Sequence, residues 1–355
     1  MQTPFRIDPT RALTDMAAFQ RKLAAGMANL RGIREPEYAN TPRELVYSED
    51  KLNVWHFTGG GKTSSKTPLL IVYALVNTVW MTDLQADRSM VRNLLDQGED
   101  VYLIDWGYPD GADRWLTLDD YINGYLDRCV DAVRARHDLD AINLLAICQG
   151  GAFSLCYTAL HPDKVKNLIT MVTPVDFHTP DNMLSSWCRN MDVDLFVDTM
   201  GNIPAALMNY VYLTLKPVRL NQQKYIGMVD ILDSPTELEN FLRMERWIFD
   251  SPDQAGEAFR QFIKDFYQDN KLIKGTLEIG GHAIDLGMIT QPVLNIFAEQ
   301  DHLVPPDASR ALSKHVGTTD YTQLAFKGGH IGIYVSSRAQ REVPPAIHQW
   351  LRQRA

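Results

Sequence analysis

Residues Ile142–Gly151, INLLAICQGG, decide how this chain is read. A largely apolar run of strand length meets Cys148, and small residues surround it: Ala146 two places before, Gly150 and Gly151 after. A helix over roughly 152–161 follows (AFSLCYTALH). A nucleophile at a tight strand-to-helix turn has the form Gly-x-Nuc-x-Gly, because its backbone is strained and bulky neighbours two places away would collide with it. The helix that follows aims its N-terminal dipole at the thiol and favours a thiolate. The N–H of Gln149 would form half of an oxyanion hole. Ala146 stands where the first glycine usually falls. Taken alone, Cys148 reads equally as a buried structural thiol.

Outward from this point the chain alternates apolar strands with helices. LLIVYAL (69–75) has no polar alternation, as expected of a parallel strand covered on both faces. A helix over 84–97, strand 100–105, a helix over 119–137, strand 142–147, the helix over 152–161 and strand 167–173 follow in order. After a break the pattern resumes with strand 293–298, helix 308–315, strand 321–326 and a helix over 339–351. A strand is expected near Leu52–Trp55, and GGGKTSSKT (59–67) reads as a turn: His56 stands where a phosphate loop needs its first glycine. Such alternation predicts a mostly parallel central sheet with helices on both faces.

The intervening stretch, 176–289, is mainly helical, rich in Met and aromatic residues and broken by Pro204, Pro217, Pro235 and Pro252. Inserted between strands of one sheet, it reads as a helical cap over the catalytic edge, with a separate second domain as the other reading. The expected division is an N-terminal helical segment (1–45), an α/β core (46–175 and 290–355) and the cap (176–289). Within the first segment, Leu13, Met16, Phe19, Leu23 and Met27 recur at helical spacing.

The partners of Cys148 settle its reading. In the α/β-hydrolase fold the order along the chain is nucleophile, acid, base, with the acid after a late strand and the histidine in a later loop. Asp301 follows strand 293–298 in FAEQDHLVPP, and His330 follows strand 321–326 in FKGGHIG. All three fall at the C-terminal ends of strands, where such sheets bind ligands. The second oxyanion N–H is expected from Val76 or Asn77, although Asn77 can instead only shape that turn. His302 is a candidate for lining the site. No His/Asp/Glu grouping has metal spacing, so no metal is expected.

Composition narrows the class. The 355 residues are 45% hydrophobic and 22% charged; Lys and Arg number 35 against 44 acidic residues, a net charge of −9. This argues against a nucleic-acid binder, which needs a basic face to displace counterions. No run approaches the ~20 apolar residues of a membrane span. Four cysteines without a CxxC pair suit neither a disulfide scaffold nor a zinc site. The N-terminus lacks the pattern of a secretory signal. A cysteine nucleophile exchanges acyl groups readily with thioesters, which makes an acyl-CoA a natural donor.

The stretches LLIVYALVN (69–77), DVYLIDWGYPD (100–110), LTLDDYINGY (116–125), AICQGGAFS (146–154), MVTPVDF (171–177), VDTMGNIP (197–204), ERWIFDSPDQAGE (245–257), IFAEQDHLVPPDASRAL (296–312) and FKGGHIGIYVS (326–336) resemble the catalytic subunit of class III polyhydroxyalkanoate synthases. The likeness runs from about residue 46 to 350, with Ala146 in place of the first glycine of that family's Gly-x-Cys-x-Gly-Gly box. The resemblance implies that Cys148 carries the growing acyl chain and His330 activates the thiol. It leaves Asp301 as triad acid or as activator of the incoming hydroxyl. It implies an (R)-3-hydroxyacyl-CoA substrate of the 3-hydroxybutyryl type, release of CoA, no separate cofactor, and a polyester stored in cytoplasmic granules. It also implies an E-type partner subunit and self-association, as a dimer. A Cys-dependent hydrolase, of thioesterase or dienelactone-hydrolase type, would share the same three residues. A non-enzymatic granule-coat protein is the remaining alternative.

Overall fold

The computed structural model describes residues 9–33, 36–38, 40–61 and 63–355. Its centre is an 8-stranded sheet. We number the strands β1 (Arg43–Glu49), β2 (Leu52–Phe57), β3 (Leu69–Val72), β4 (Val101–Asp105), β5 (Ile142–Ile147), β6 (Val165–Met171), β7 (Val293–Ala298) and β8 (Tyr321–Phe326). Their spatial order is β1-β2-β4-β3-β5-β6-β7-β8. β2 runs antiparallel to both neighbours, and every other pairing is parallel. β3 and β5 lie at the centre, so the run that ends at Cys148 is flanked by strands on both sides.

The largely apolar character of β3 and β5 follows from their two covered faces. Leu70, Val72, Leu144 and Ala146 face one core, shared with α3 (Asp127–His137) and α4 (Gln149–Leu160). Leu69, Ile71, Leu145 and Ile147 face the other, shared with α2 (Met90–Asp96) and the C-terminal helix α11 (Ser337–Arg352). Alternate residues of one strand thus serve two helical layers, which is why no polar alternation interrupts them.

Three expectations shift. The helix expected over 84–97 is only α2, beginning at Met90. Asp83–Gln85 and Arg88–Ser89 instead form a short antiparallel pair, in which buried Asp83 accepts from the hydroxyls of Thr41 and Ser89, and Ser89 caps α2. Strand β1 had no predicted counterpart. It is an edge strand carrying exposed Leu45, so it lacks the apolar run that marks the interior. The stripe Leu13, Met16, Phe19, Leu23 and Met27 lies on a helix, α1 (Pro9–Gly32), but all five side chains are exposed. α1 meets the rest of the chain through Gly26 against Leu232, and through Lys22 and Asn29 donating to the carbonyls of Asp230 and Leu232.

Between β6 and β7 lie α5 (Met183–Cys188), α6 (Val193–Met200), α7 (Ala205–Thr214), α8 (Lys224–Ile231), α9 (Pro235–Phe249) and α10 (Gly256–Gln261). They have a small core of their own around Cys188, Val193, Val197, Ile203, Phe259 and Ile263. Arg260 binds Asp194 and Asp198 and so staples α10 to α6. The insertion also packs against the sheet: Trp247 enters one core, while Phe262, Phe266 and the returning Leu277–Ile289 stretch enter the other. Among the described residues no helix is long and apolar enough to cross a membrane.

Candidate active site

Cys148 sits between the last residue of β5 and the first of α4 with φ 55 and ψ −122. For a residue with a Cβ this left-handed conformation is strained and holds only where the surroundings enforce it. Those surroundings are tight. A Cβ on Gly150 would lie 2.4 Å from the Tyr73 carbonyl oxygen and 2.5 Å from that of Val72, and one on Gly151 would lie 1.8 Å from Thr173 Oγ1. The two glycines therefore let α4 dock on the ends of β3 and β6. Ala146 is a different case: its methyl is fully buried in the same core as Val72 and Leu144, so a side chain is accommodated at that position. Gly150→Ala is expected to destabilise the fold by about 1–3 kcal/mol, because the clashing atoms are backbone. A thermal unfolding midpoint equal to that of the parent would contradict this.

Asp301 and His330 come to the same place from the ends of β7 and β8. His330 Nδ1 lies 2.7 Å from Asp301 Oδ2, and the Asp301 side chain is fully buried. The other carboxylate oxygen, Oδ1, accepts from the backbone N–H of Leu303 and of Val304, each at 2.9 Å. Nδ1 is thus committed to the carboxylate, which leaves Nε2 for the sulfur. Burial by itself pulls the His330 pKa down, but the charges of Asp301 and of a Cys148 thiolate, with hydrogen bonds to both, outweigh it and raise it to about 10. The protonated imidazole is favoured whenever both neighbours are charged.

The remaining expected residues gather around one cavity of about 280 Å³. Cys148, Gln149, Val76, Asn77, His302 and His330 all line it. Asn77 has φ 60, so the loop after β3 turns sharply at that residue. The cap contributes the larger part of the wall through α5, α6, α7 and α9, chiefly with apolar and aromatic side chains such as Leu184, Phe196, Met208, Tyr212 and Trp247. Tyr73, Tyr212 and Tyr267 border the same space. Burial holds all three phenols far above their ordinary range, reinforced by the charge of Cys148, so they stay neutral hydrogen-bonding groups. Sequence reasoning did not single out Gln254, which also lines the cavity; its contact with the β3 loop joins residues 179 positions apart.

Residues 67–337 match the alpha/beta hydrolase fold family. A putative lipase from Sulfolobus solfataricus superposes with a TM-score of 0.55, covering 90% of this chain and 100% of its own, at 15% identity, a likeness of fold alone. The poly(3-hydroxyalkanoate) polymerase subunit PhaC of Allochromatium vinosum is 62% identical over 353 residues, 99% of each chain. The protein of the same name from Synechocystis is 52% identical over 345 residues, 95% of this chain and 91% of its own. By fold and by near full-length identity, the chain belongs to the poly(3-hydroxyalkanoate) polymerase subunit family, within the alpha/beta hydrolase fold.

Proposed function

We propose that this chain is an acyltransferase of the class III type that polymerises (R)-3-hydroxyacyl-CoA, of 3-hydroxybutyryl size, into polyester through an acyl-cysteine on Cys148. The observation that carries the reading is a cysteine on a strained elbow, beside a buried His330–Asp301 pair, inside a mostly apolar cavity. In the first step the Cys148 thiolate adds to the thioester carbonyl. The N–H groups of Gln149 and of Val76 or Asn77 receive the oxyanion, the carbon–sulfur bond to CoA breaks, and CoA leaves as the thiol with the proton held by His330. In the second step His330 takes the proton of a 3-hydroxyl group. That oxygen attacks the acyl-cysteine, an ester bond forms, and the cysteine sulfur is released for the next round.

Full burial of the Asp301 side chain, with both oxygens already accepting hydrogen bonds, favours a role that orients His330 over direct contact with the incoming hydroxyl. Selecting that hydroxyl over water present at ~55 M requires a dry site. The apolar cap wall and neutral tyrosines suit that requirement. An E-type partner subunit, self-association as a dimer, and cytoplasmic residence on granules of the product belong to the same proposal, carried over from the class III resemblance.

The test supplies 3-hydroxybutyryl-CoA to the chain alone and with an E-type subunit, following free CoA and turbidity together. Insoluble polymer in step with CoA release is the expected result, with a shorter lag when the partner is present. Soluble 3-hydroxybutyrate as the main product in both conditions would reverse the reading in favour of a thioesterase.

A further inference from the structure

Leu75, whose carbonyl shares a peptide unit with the Val76 N–H, is gripped by two side-chain amides from opposite parts of the chain: Gln254 holds that unit and Gln149 the one before it. The Leu75 N–H donates to Gln149 Oε1 at 3.1 Å, and the Leu75 carbonyl accepts from Gln254 Nε2 at 2.8 Å. Gln149 is the residue that follows the nucleophile. Gln254 lies in the insertion between α9 and α10 and is 4% exposed. It is fixed there by a reciprocal pair of backbone hydrogen bonds with Ile203, both at 2.9 Å. Two more bonds join the same two segments: Trp247 Nε1 donates to the Thr78 carbonyl at 2.8 Å, and Asn77 Nδ2 donates to Ser251 Oγ at 2.5 Å. The loop after β3 is therefore tied to the cap at Leu75, Asn77 and Thr78.

We infer that Gln254 is a positioning residue for acylation of Cys148, acting through the Leu75–Val76 peptide. The reason is covalent geometry. A peptide unit is planar, so the Leu75 carbonyl and the Val76 N–H share one plane and point in opposite directions. A donor that fixes the carbonyl also fixes the N–H. Oxyanion donors act through preorganisation, and one that is free to rotate loses most of its worth. Because Gln254 belongs to the cap, the donor is in place only while the cap is seated on the β3 loop. The site is complete when it is closed, which links substrate enclosure to catalytic competence. This inference rests on the acyl-cysteine reading above.

The experiment compares two reactions of the same sulfur. Acylation by 3-hydroxybutyryl-CoA, read as single-turnover CoA release, develops an oxyanion; alkylation by iodoacetamide displaces iodide and develops none. In Gln254→Ala, acylation should slow by roughly 10- to 100-fold, below the 10²–10³ cost of deleting an oxyanion donor outright. Alkylation should stay within about twofold of the parent. Gln254→Met keeps the length of the side chain but has no hydrogen to donate to the Leu75 carbonyl; it should show the same split, and it serves if the alanine variant unfolds. Acylation at the parent rate in either folded variant overturns the inference, as does a parallel loss of alkylation, which marks a general collapse of the site. No CoA release from the parent protein overturns the acyl-cysteine reading itself, and this inference with it.

Discussion

Cys148→Ala is expected to eliminate CoA release and polymer formation, a fall of roughly five to six orders of magnitude of the kind seen when a nucleophile is removed from a cooperating set. In the acyl-cysteine mechanism proposed above, this sulfur is the attachment point for the acyl chain. Cys148→Ser should retain little, since a hydroxyl beside one imidazole is far harder to deprotonate than a thiol. The other cysteines supply internal controls. Cys129 and Cys156 are buried in the sheet core, and Cys188 lines the same cavity as Cys148. Burial pushes the thiols of Cys156 and Cys188 up to about 12 and that of Cys129 higher still. Alkylation at neutral pH should therefore place one label, on Cys148. Alanine at each of the other positions should cost on the order of 1 kcal/mol and leave turnover in place. Mass spectrometry of the labelled chain and a polymer assay check both halves. Substantial polymer from Cys148→Ala would sink the assignment.

How far the site was legible in the sequence depends on how local its signals are. The elbow is a six-residue pattern, and the residues that shape it, Gly150 and Gly151, are adjacent to the nucleophile in the chain. Asp301 and His330 each fall within four residues of a strand's C-terminal end, so the strand ends place them without knowledge of distant contacts. Strands β5 and β7 could be bounded for the same reason: their largely apolar runs begin and end where the core does. The edge strand β1 escaped notice because its environment is half solvent and its composition shows it. The expected helix over 84–97 lost its first part to a side-chain cluster around Asp83, whose partner Thr41 lies 42 residues away. The amides of Gln149 and Gln254 converge on Leu75 across 74 and 179 residues. No periodicity or spacing encodes a pairing of that kind; it emerges only once the cap is seated on the β3 loop. The apolar stripe of α1 shows the opposite failure. Its helical period was clear, but periodicity specifies a face and not what the face meets.

The Asp301–His330 pair gives the second large expectation. If Asp301 served the incoming hydroxyl directly, Asp301→Asn would still acylate Cys148 and only elongate slowly. The hydrogen bonds around the carboxylate argue otherwise. Oδ1 accepts from two backbone N–H groups, of Leu303 and Val304, so the corresponding atom in the asparagine variant must also be an oxygen. The asparagine NH₂ is then turned toward His330 Nδ1, which must become an acceptor and shift the imidazole proton to Nε2. In that tautomer the nitrogen facing Cys148 carries a proton and can no longer take one from the thiol. Asp301→Asn should therefore lose acylation by roughly 10⁴-fold, the scale of a tautomer error in a triad. His330→Gln, which removes the base outright, should lose at least as much. Rapid-quench measurement of CoA release in the first turnover separates the two roles, because it precedes any elongation. First-turnover CoA release at the parent rate in Asp301→Asn, followed by slow polymer growth, would defeat the orienting role and assign Asp301 to the hydroxyl. Loss of that first turnover in both variants would make the three residues one catalytic triad, in which Asp301 orients His330 and acts on substrate only through it.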